Sequence, residues 1–199
     1  MVSQSRWRMM IDPAVEQDVR DEAWRSLRER IRRPILFQLR RRIEGWRHTE
    51  ELADDVCALV RARYEGAGDA APCLRECAVR ELSAFFEECG KESRLDEEEF
   101  DRDWATSLFA SALDELRRSA PDAHLLFLRA YERPEAPLSA AEVAQRLELP
   151  IMEVARRMET GREELRALFE REIGHTVSRA SAVEAEVRRF LPRAEALLG

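Results

Sequence analysis

The residue types in this chain that most often carry catalysis or hold metals are its three histidines and four cysteines. The histidines are scattered, and the cysteines contain no C-x-x-C pair, so buried reduced thiols are expected rather than zinc ligands at Cys57, Cys73, Cys77 and Cys89. Phosphate-binding glycine loops, the H-E-x-x-H pair and the G-x-S-x-G turn are also absent from the sequence. The sequence therefore predicts a protein that is not an enzyme, with no catalytic residue, metal or cofactor.

The side chains best suited to binding chemistry lie in the segment that begins at Ile151. Arginine donates hydrogen bonds to guanine edges and to phosphates, so exposed arginines on a helix are candidate DNA contacts. Four residues of this segment are predicted to contact DNA: Arg156, Arg157, Thr160 and Arg162. The same helix carries Glu153, Glu159 and Glu163, which repel phosphate and can instead pair with the arginines at helical spacing.

This segment is the second half of a predicted helix-turn-helix unit at Leu138 to Arg171. Ser139 is a candidate N-cap of a short first helix, and Glu142 completes a capping box. The turn falls at 147–149, and Pro150 can begin the second helix because the first turn needs no partner for its amide. A short helix, a tight turn and a longer helix form the helix-turn-helix pattern, although a helical hairpin that packs its own core has the same spacing.

A second charged group lies near residue 50. It consists of four carboxylates: Glu50, Glu51, Asp54 and Asp55. They fall in the first half of a helix predicted to be capped by Thr49 and to end at Gly66. Acidic residues suit the positive end of a helix dipole, whereas a partner with a basic surface is the functional interpretation.

The remaining pattern is helical, without strand-like alternation of useful length. The sequence predicts helices at 14–45, with a kink or break at Pro34, and at 73–88, 100–119, 121–132 and 180–198. The apolar stripe of the helix from Ile151 is interrupted near Thr160-Gly161, and a break is predicted at 173–178. The fold prediction is all-α, with two helical domains at 1–90 and 100–178, an acidic linker at 91–99 and a C-terminal amphipathic helix at 179–199.

The composition bounds the class of protein. Apolar residues make up 45% of the chain, charged residues make up 37%, and the net charge is −7. This balance suits a largely helical, soluble protein and argues against attraction of the whole surface to a polyanion. No apolar run is long enough to span a bilayer and no signal peptide is recognisable, so we expect no membrane insertion and a cytoplasmic location.

Six short elements follow one another along the chain and match a known order of motifs. They are Ser5-Arg6-Trp7 (T-R-W), Trp24 through Arg42 (a run ending in Y-L-R-R-R), Glu50 through Val56 (A-E-D-L-x-Q-E-x-F), Phe100 through Ala105 (F-D-R-E-W-A), Ile173 through Val177 (I-x-x-T-V) and Val183 through Glu186 (V-E-x-E-L). In this order the chain resembles an extracytoplasmic-function (group IV) sigma factor of bacterial RNA polymerase, over nearly its whole length.

The resemblance has departures at the sites that matter for binding. Asp54 and Cys57 stand at the family's Gln and aromatic positions in the helix that docks on the polymerase clamp, and Glu148 stands at the glycine of the turn. In the recognition-helix pattern V-K-x-x-x-H-R-x-R, Val154 and Arg162 are the residues that fit. Glu153, Glu159 and Glu163 on this helix are expected to weaken nonspecific affinity for DNA, because carboxylates near phosphate are repulsive.

The resemblance implies a sigma factor that binds core RNA polymerase through residues 1–90 and promoter DNA through the helix from Ile151. It also implies that an anti-sigma protein is a partner to expect. Glu50, Glu51, Asp54 and Asp55 are then the polymerase-binding residues. The alternative is a sigma-like regulatory protein that binds polymerase or another protein without reading promoter DNA.

Overall fold

The computed structural model describes residues 5–43, 46–92, 94–123 and 138–195. Regular structure in these ranges is entirely helical, which confirms the predicted all-α class. The helices are α1 (Arg6–Ile11), α2 (Gln17–Arg42), α3 (Trp46–Tyr64), α4 (Leu74–Glu88), α5 (Glu97–Ser119), α6 (Ala140–Leu147), α7 (Ile151–Thr176) and α8 (Ala180–Glu195), with a 3-10 turn at Gly68–Ala70. Of the predicted helix at 121–132, residues 121–123 are helical and the rest lies outside the described residues.

α2 runs through Pro34 without ending, where the sequence predicts a kink or break. Proline has no N–H, so the backbone carbonyl of Arg30, four residues earlier, lacks its helical partner. The hydroxyl of Ser107 on α5 donates a hydrogen bond to that carbonyl at 2.8 Å. α5 therefore supplies the partner that Pro34 removes, and the helix continues to Arg42.

α3 begins at Trp46, upstream of the predicted cap at Thr49. The prediction that Thr49 caps this helix is wrong, because Thr49 is fully buried within the helix. The buried apolar side chains of α3 are Ala53, Val56, Cys57, Val60 and Tyr64, whereas Leu59 is 43% exposed.

One buried apolar cluster contains side chains from α1 to α5 and from α7 and α8. Its largest fully buried members are Trp7, Phe86, Phe100, Trp104, Phe169 and Phe190. α5 contacts α2 and also α7 and α8, so it joins the N-terminal helices to the C-terminal ones. This core includes residues from both sides of the predicted linker, and the division into two domains stays a prediction.

The acidic residues predicted to form a linker at 91–99 are partly helical. The Asp96 carboxylate accepts hydrogen bonds from the backbone N–H groups of Glu98 (3.0 Å) and Glu99 (3.1 Å), and it caps α5. Residues 97–99 therefore form the first turn of α5, where the helix dipole favours carboxylates. The connection from α4 ends at Asp96 rather than at residue 99.

α7 is a single helix of 26 residues that runs through Thr160-Gly161, where the sequence predicts an interruption of the apolar stripe. It ends at Thr176, within the break predicted at 173–178, and α8 starts at Ala180. The Ser5 hydroxyl, at the start of α1, donates a hydrogen bond to the carbonyl of Val177, and the carbonyl of His175 lies 3.3 Å from the same hydroxyl oxygen. The first helix is thereby joined to the carboxyl end of α7.

Candidate interaction faces on α3 and α7

The two helices of the α6 to α7 unit begin where the sequence predicts. The Ser139 N–H donates to a carboxylate oxygen of Glu142 at 2.8 Å, and the Glu142 N–H donates to Ser139 Oγ at 3.3 Å, which completes the capping box. The Pro150 carbonyl accepts the N–H of Val154 at 3.1 Å and opens α7. A side-chain capping box therefore marks the start of α6, and a proline with its backbone carbonyl marks the start of α7.

The turn between these helices depends on Glu148. Its backbone is left-handed, with φ 54° and ψ 39°, and it is the sole non-glycine with positive φ among the described residues. The next N–H, of Leu149, donates to the carbonyl of Ala144 at 3.0 Å and ends α6. A side chain in this backbone region costs about 1–2 kcal/mol, so Glu148 occupies a position that favours glycine.

α6 and α7 share a small apolar cluster of their own. Val143, Ala144, Val154 and Met158 are its buried members. Ile151 is expected to join this core, but it is 50% exposed. The buried α7 members start at Val154, so Ile151 and Met152 stay outside the contact, and Met152 is 77% exposed. With Leu149, these side chains form an exposed apolar tip that the sequence pattern did not predict.

The predicted DNA-contacting residues lie on the exposed side of α7 or at its margin. Arg156 and Thr160 are exposed and Arg157 is half-buried. Both Arg156 and Arg157 are held by Glu153: Arg156 Nη2 lies 3.1 Å from Oε1, and Arg157 Nε lies 2.6 Å from the same oxygen. Arg157 also reaches Asp122 at 3.2 Å.

Carboxylates on the same helix therefore balance the positive charges of these arginines. Hydrogen bonds from Arg157 and then Arg156 lower the pKa of Glu153, and the hydrogen bond that Arg157 donates to Glu153 raises the pKa of Arg157. Arg162 lies 3.5 Å from a carboxylate oxygen of Glu159. All three predicted arginines thus have an acidic partner on their own helix, as helical spacing allows.

The four predicted polymerase-binding carboxylates do not form one outward face. Glu50 and Asp54 point toward α2, and Arg32 bridges them: its Nη2 donates to Glu50 and its Nε donates to Asp54 at 2.6 Å. Arg28 adds a contact to Asp54 at 2.8 Å, and Arg40 adds one to Glu50 at 2.7 Å.

The other two carboxylates, Glu51 and Asp55, point into solvent, and the side chain of Glu51 is 82% exposed. Asp54 faces α2 instead. Partial burial raises its pKa, but the hydrogen bond and charge of Arg32 and the charge of Arg28 lower it by more, so the pKa of Asp54 lies below its ordinary value. Sequence reasoning placed arginines on α2 and acids on α3 but missed that these two sets face each other.

The F-D-R-E-W-A-like element has a structural role in this protein. Asp101 accepts hydrogen bonds from Arg75 Nε (2.5 Å) and Arg189 Nε (2.8 Å), while Asp103 accepts one from Gln38 Nε2 at 2.9 Å. Arg41 also donates to both carboxylate oxygens of Asp103. These buried carboxylates join α5 to α2, α4 and α8.

The cysteines are free thiols. Cys57 and Cys77 are buried, and burial raises the pKa of each to about 12. The expectation of burial is wrong for Cys89, which is exposed just after α4. Among the described residues no three His, Cys, Asp or Glu side chains converge in a way that would hold a metal ion. In the same part of the chain, no helix has the length and apolarity to span a membrane.

Comparison of the chain with models of protein families, with curated proteins and with solved structures gave no match. The two faces are therefore interpreted from their geometry and from the sequence motifs. One face is acidic and lies on α3, and the other is mixed in charge, has an apolar tip and lies on α7.

Proposed function

We propose that this chain is an RNA polymerase sigma factor of the extracytoplasmic-function type, which binds core polymerase and directs transcription from specific promoters. In this proposal α1 to α4 form the polymerase-binding part, and α5 to α7 carry a helix-turn-helix that reads promoter DNA. The site of action is then the cytoplasm, and an anti-sigma protein is a further partner.

The observation that carries the proposal is the geometry of α6, its turn and α7. A short helix begins at a capping box and ends at a left-handed residue, Glu148, which stands at the position of the family's glycine. A long helix then starts at Ile151 and packs on the first through Val154 and Met158. In a helix-turn-helix, the N-terminal residues of the second helix meet base edges in the major groove.

The acidic face of α3 supports the polymerase-binding half of the proposal. Glu51 and Asp55 are exposed and lie on one side of a helix, in the segment that resembles the clamp-docking element. Exposed carboxylates on a packed helix suit a basic protein surface and speed its association.

Run-off transcription with core polymerase tests the proposal directly. We expect transcripts from specific template positions only when the protein is added to core enzyme. Binding of the isolated chain to DNA is a weaker test, because a factor of this kind can read DNA only as part of the holoenzyme. Absence of any protein-dependent transcript across a library of genomic fragments would refute the proposal.

A second candidate function is a sigma-like regulator that binds polymerase or another protein without reading DNA. The observation that favours it is the pairing of Arg156 and Arg157 with Glu153, because a guanidinium held by a carboxylate is less available to phosphate. The apolar tip at Leu149, Ile151 and Met152 also suits a protein surface. Co-purification with polymerase without transcription activity would favour this candidate.

A further inference from the structure

Two of the four candidate polymerase-binding carboxylates on α3, Glu50 and Asp54, are already paired with cations from α2. Three arginines of α2 make these contacts. Arg28 contacts Asp54, Arg32 contacts both Glu50 and Asp54, and Arg40 contacts Glu50. We call these three residues the arginine strip. A basic partner that approaches this side of α3 meets a site that the arginine strip already fills.

The ion pairs of the arginine strip are exposed enough for the carboxylates to change partners. The side chain of Arg32 is 26% exposed, and those of Glu50 and Asp54 are each 39% exposed. Ion pairs at this depth contribute little net free energy because water screens them and both side chains lose freedom. An incoming ammonium or guanidinium group can therefore replace an arginine of the strip at small cost.

The surroundings leave a path for that replacement. Glu51 and Asp55 are exposed on the same helix and provide a first contact for a cation. A cleft of about 470 Å³ opens beside Asp54 between α2 and α3. Its lining contains the apolar side chains of Trp24, Ala58 and Ala62 and the charged side chains of Arg28, Arg61 and Glu65. A long basic side chain can pack its stem against the three apolar residues while its charged end replaces Arg28 at Asp54.

We propose that the arginine strip is an internal competitor that regulates the acidic face of α3, so that a basic protein surface engages Glu50 and Asp54 only by displacing it. The proposal rests on the proposed function only for the identity of the partner, core RNA polymerase. The strip lowers the affinity by the same factor for every basic ligand that needs Glu50 or Asp54, because only the fraction of molecules with free carboxylates can bind.

Replacement of Arg32 tests this competition. Arg32→Gln removes the bridging cation and keeps a polar side chain of similar length. We expect it to bind a synthetic peptide of alternating lysine and alanine between about two-fold and ten-fold more tightly than the native protein, by fluorescence anisotropy. Adding Asp54→Asn to Arg32→Gln should remove most of that gain, because the released carboxylate is the new ligand.

Arg25→Gln is the matched control. Arg25 lies on the same helix and pairs with exposed Glu22 instead of α3, so its removal changes the net charge equally. A gain as large for Arg25→Gln as for Arg32→Gln, or no gain for Arg32→Gln in a variant with a native helical spectrum, overturns the proposal. If Arg32→Gln tightens peptide binding but neither it nor the native protein binds core polymerase, the competition stands and the proposed function fails.

Discussion

Arg30 of α2 and Glu172 of α7 form an ion pair inside the protein, with 2.6 Å between Nε and Oε2. The two side chains are 8% and 10% exposed. Burial lowers the pKa of Arg30, and the charge of Glu172 opposes that change. This pair joins the helix with the arginine strip to the helix with the candidate DNA contacts, so the two candidate faces belong to one packed unit.

Removal of one partner of this pair should destabilise the protein strongly. Glu172→Leu leaves the Arg30 charge buried without compensation, and we expect a loss of about 3–5 kcal/mol in the free energy of unfolding. The double variant Arg30→Met with Glu172→Leu should lose much less, because no charge remains to be buried. Urea denaturation measures both, and a double variant no more stable than Glu172→Leu would contradict the assignment.

Ser107 should be necessary because α2 contains Pro34. Ser107→Ala leaves the Arg30 carbonyl without a partner, and we expect a loss of about 1–3 kcal/mol. Ser111→Ala is the control, since that hydroxyl donates to a carbonyl within its own helix. In a Pro34→Ala background, the restored N–H should reduce the effect of Ser107→Ala, as a double-mutant cycle would reveal. Equal effects in the two backgrounds would mean that the carbonyl is not the cause.

Glu148→Gly should stabilise the turn before α7. Glycine adopts a positive φ without the steric cost of a Cβ, so we expect a gain of about 1 kcal/mol, reduced by the greater freedom of glycine in the unfolded chain. Thermal unfolding measures the gain. Glu148→Ala keeps the Cβ and should give no such gain, so equal behaviour of the two variants would exclude the backbone as the reason.

The parts of the fold that sequence reasoning located are those whose cause lies within a few residues. The capping box of Ser139 and Glu142 and the start of α7 after Pro150 depend on adjacent backbone groups, and both are found where expected. The all-α class follows from apolar spacing along each helix. These features need no knowledge of which helices touch.

The errors arise where distant residues decide. Thr49 has the type of a cap but is buried inside α3, and Pro34 has the type of a helix breaker but is rescued by Ser107 from α5. The arginines of α2 and the carboxylates of α3 each fit a solvated surface when read separately. Only the packing of the two helices reveals that Arg32 bridges Glu50 and Asp54, because periodicity does not specify which faces meet.

His175 should make the protein less stable in mild acid. It is buried, and desolvation, with the positive charges of Arg6, Arg30 and Arg171, lowers its pKa from 6.5 to about 4. The unfolded chain therefore binds a proton over a range in which the folded protein does not. The stability is complete above about pH 6.5 and falls as the pH drops toward 4, by about 2 kcal/mol between neutral pH and pH 5.

Urea denaturation at several pH values measures this dependence. His175→Gln should flatten it between pH 7 and pH 5, above the range in which most carboxylates titrate. His48→Gln removes a histidine whose side chain is 81% exposed and should leave the dependence unchanged. If the free energy of unfolding falls equally with pH in the native protein and in His175→Gln, the acid sensitivity belongs to other groups.

Arg156 and Arg157 decide between promoter reading and the regulator that has lost it. If α7 enters the major groove, replacing either by Ala should reduce promoter-dependent transcription. A lost base contact costs about 1–3 kcal/mol and relaxes specificity at one position, whereas a lost phosphate contact flattens the salt dependence by about one unit. Arg188→Ala is the control, because Arg188 is exposed and pairs with Glu184 within α8 rather than with a residue of α6 or α7.

The carboxylate that holds both arginines supplies the opposite change. Glu153→Gln removes the negative charge shared by Arg156 and Arg157 and should therefore strengthen binding to promoter DNA within the holoenzyme. Glu159→His should act in the same direction, since it releases Arg162 and places a histidine at an acidic position. Run-off transcription over a range of salt concentrations measures the effect of each variant. Transcription that responds to Glu153→Gln and to the arginine changes in opposite directions supports promoter reading, and indifference to every one of them favours the regulator.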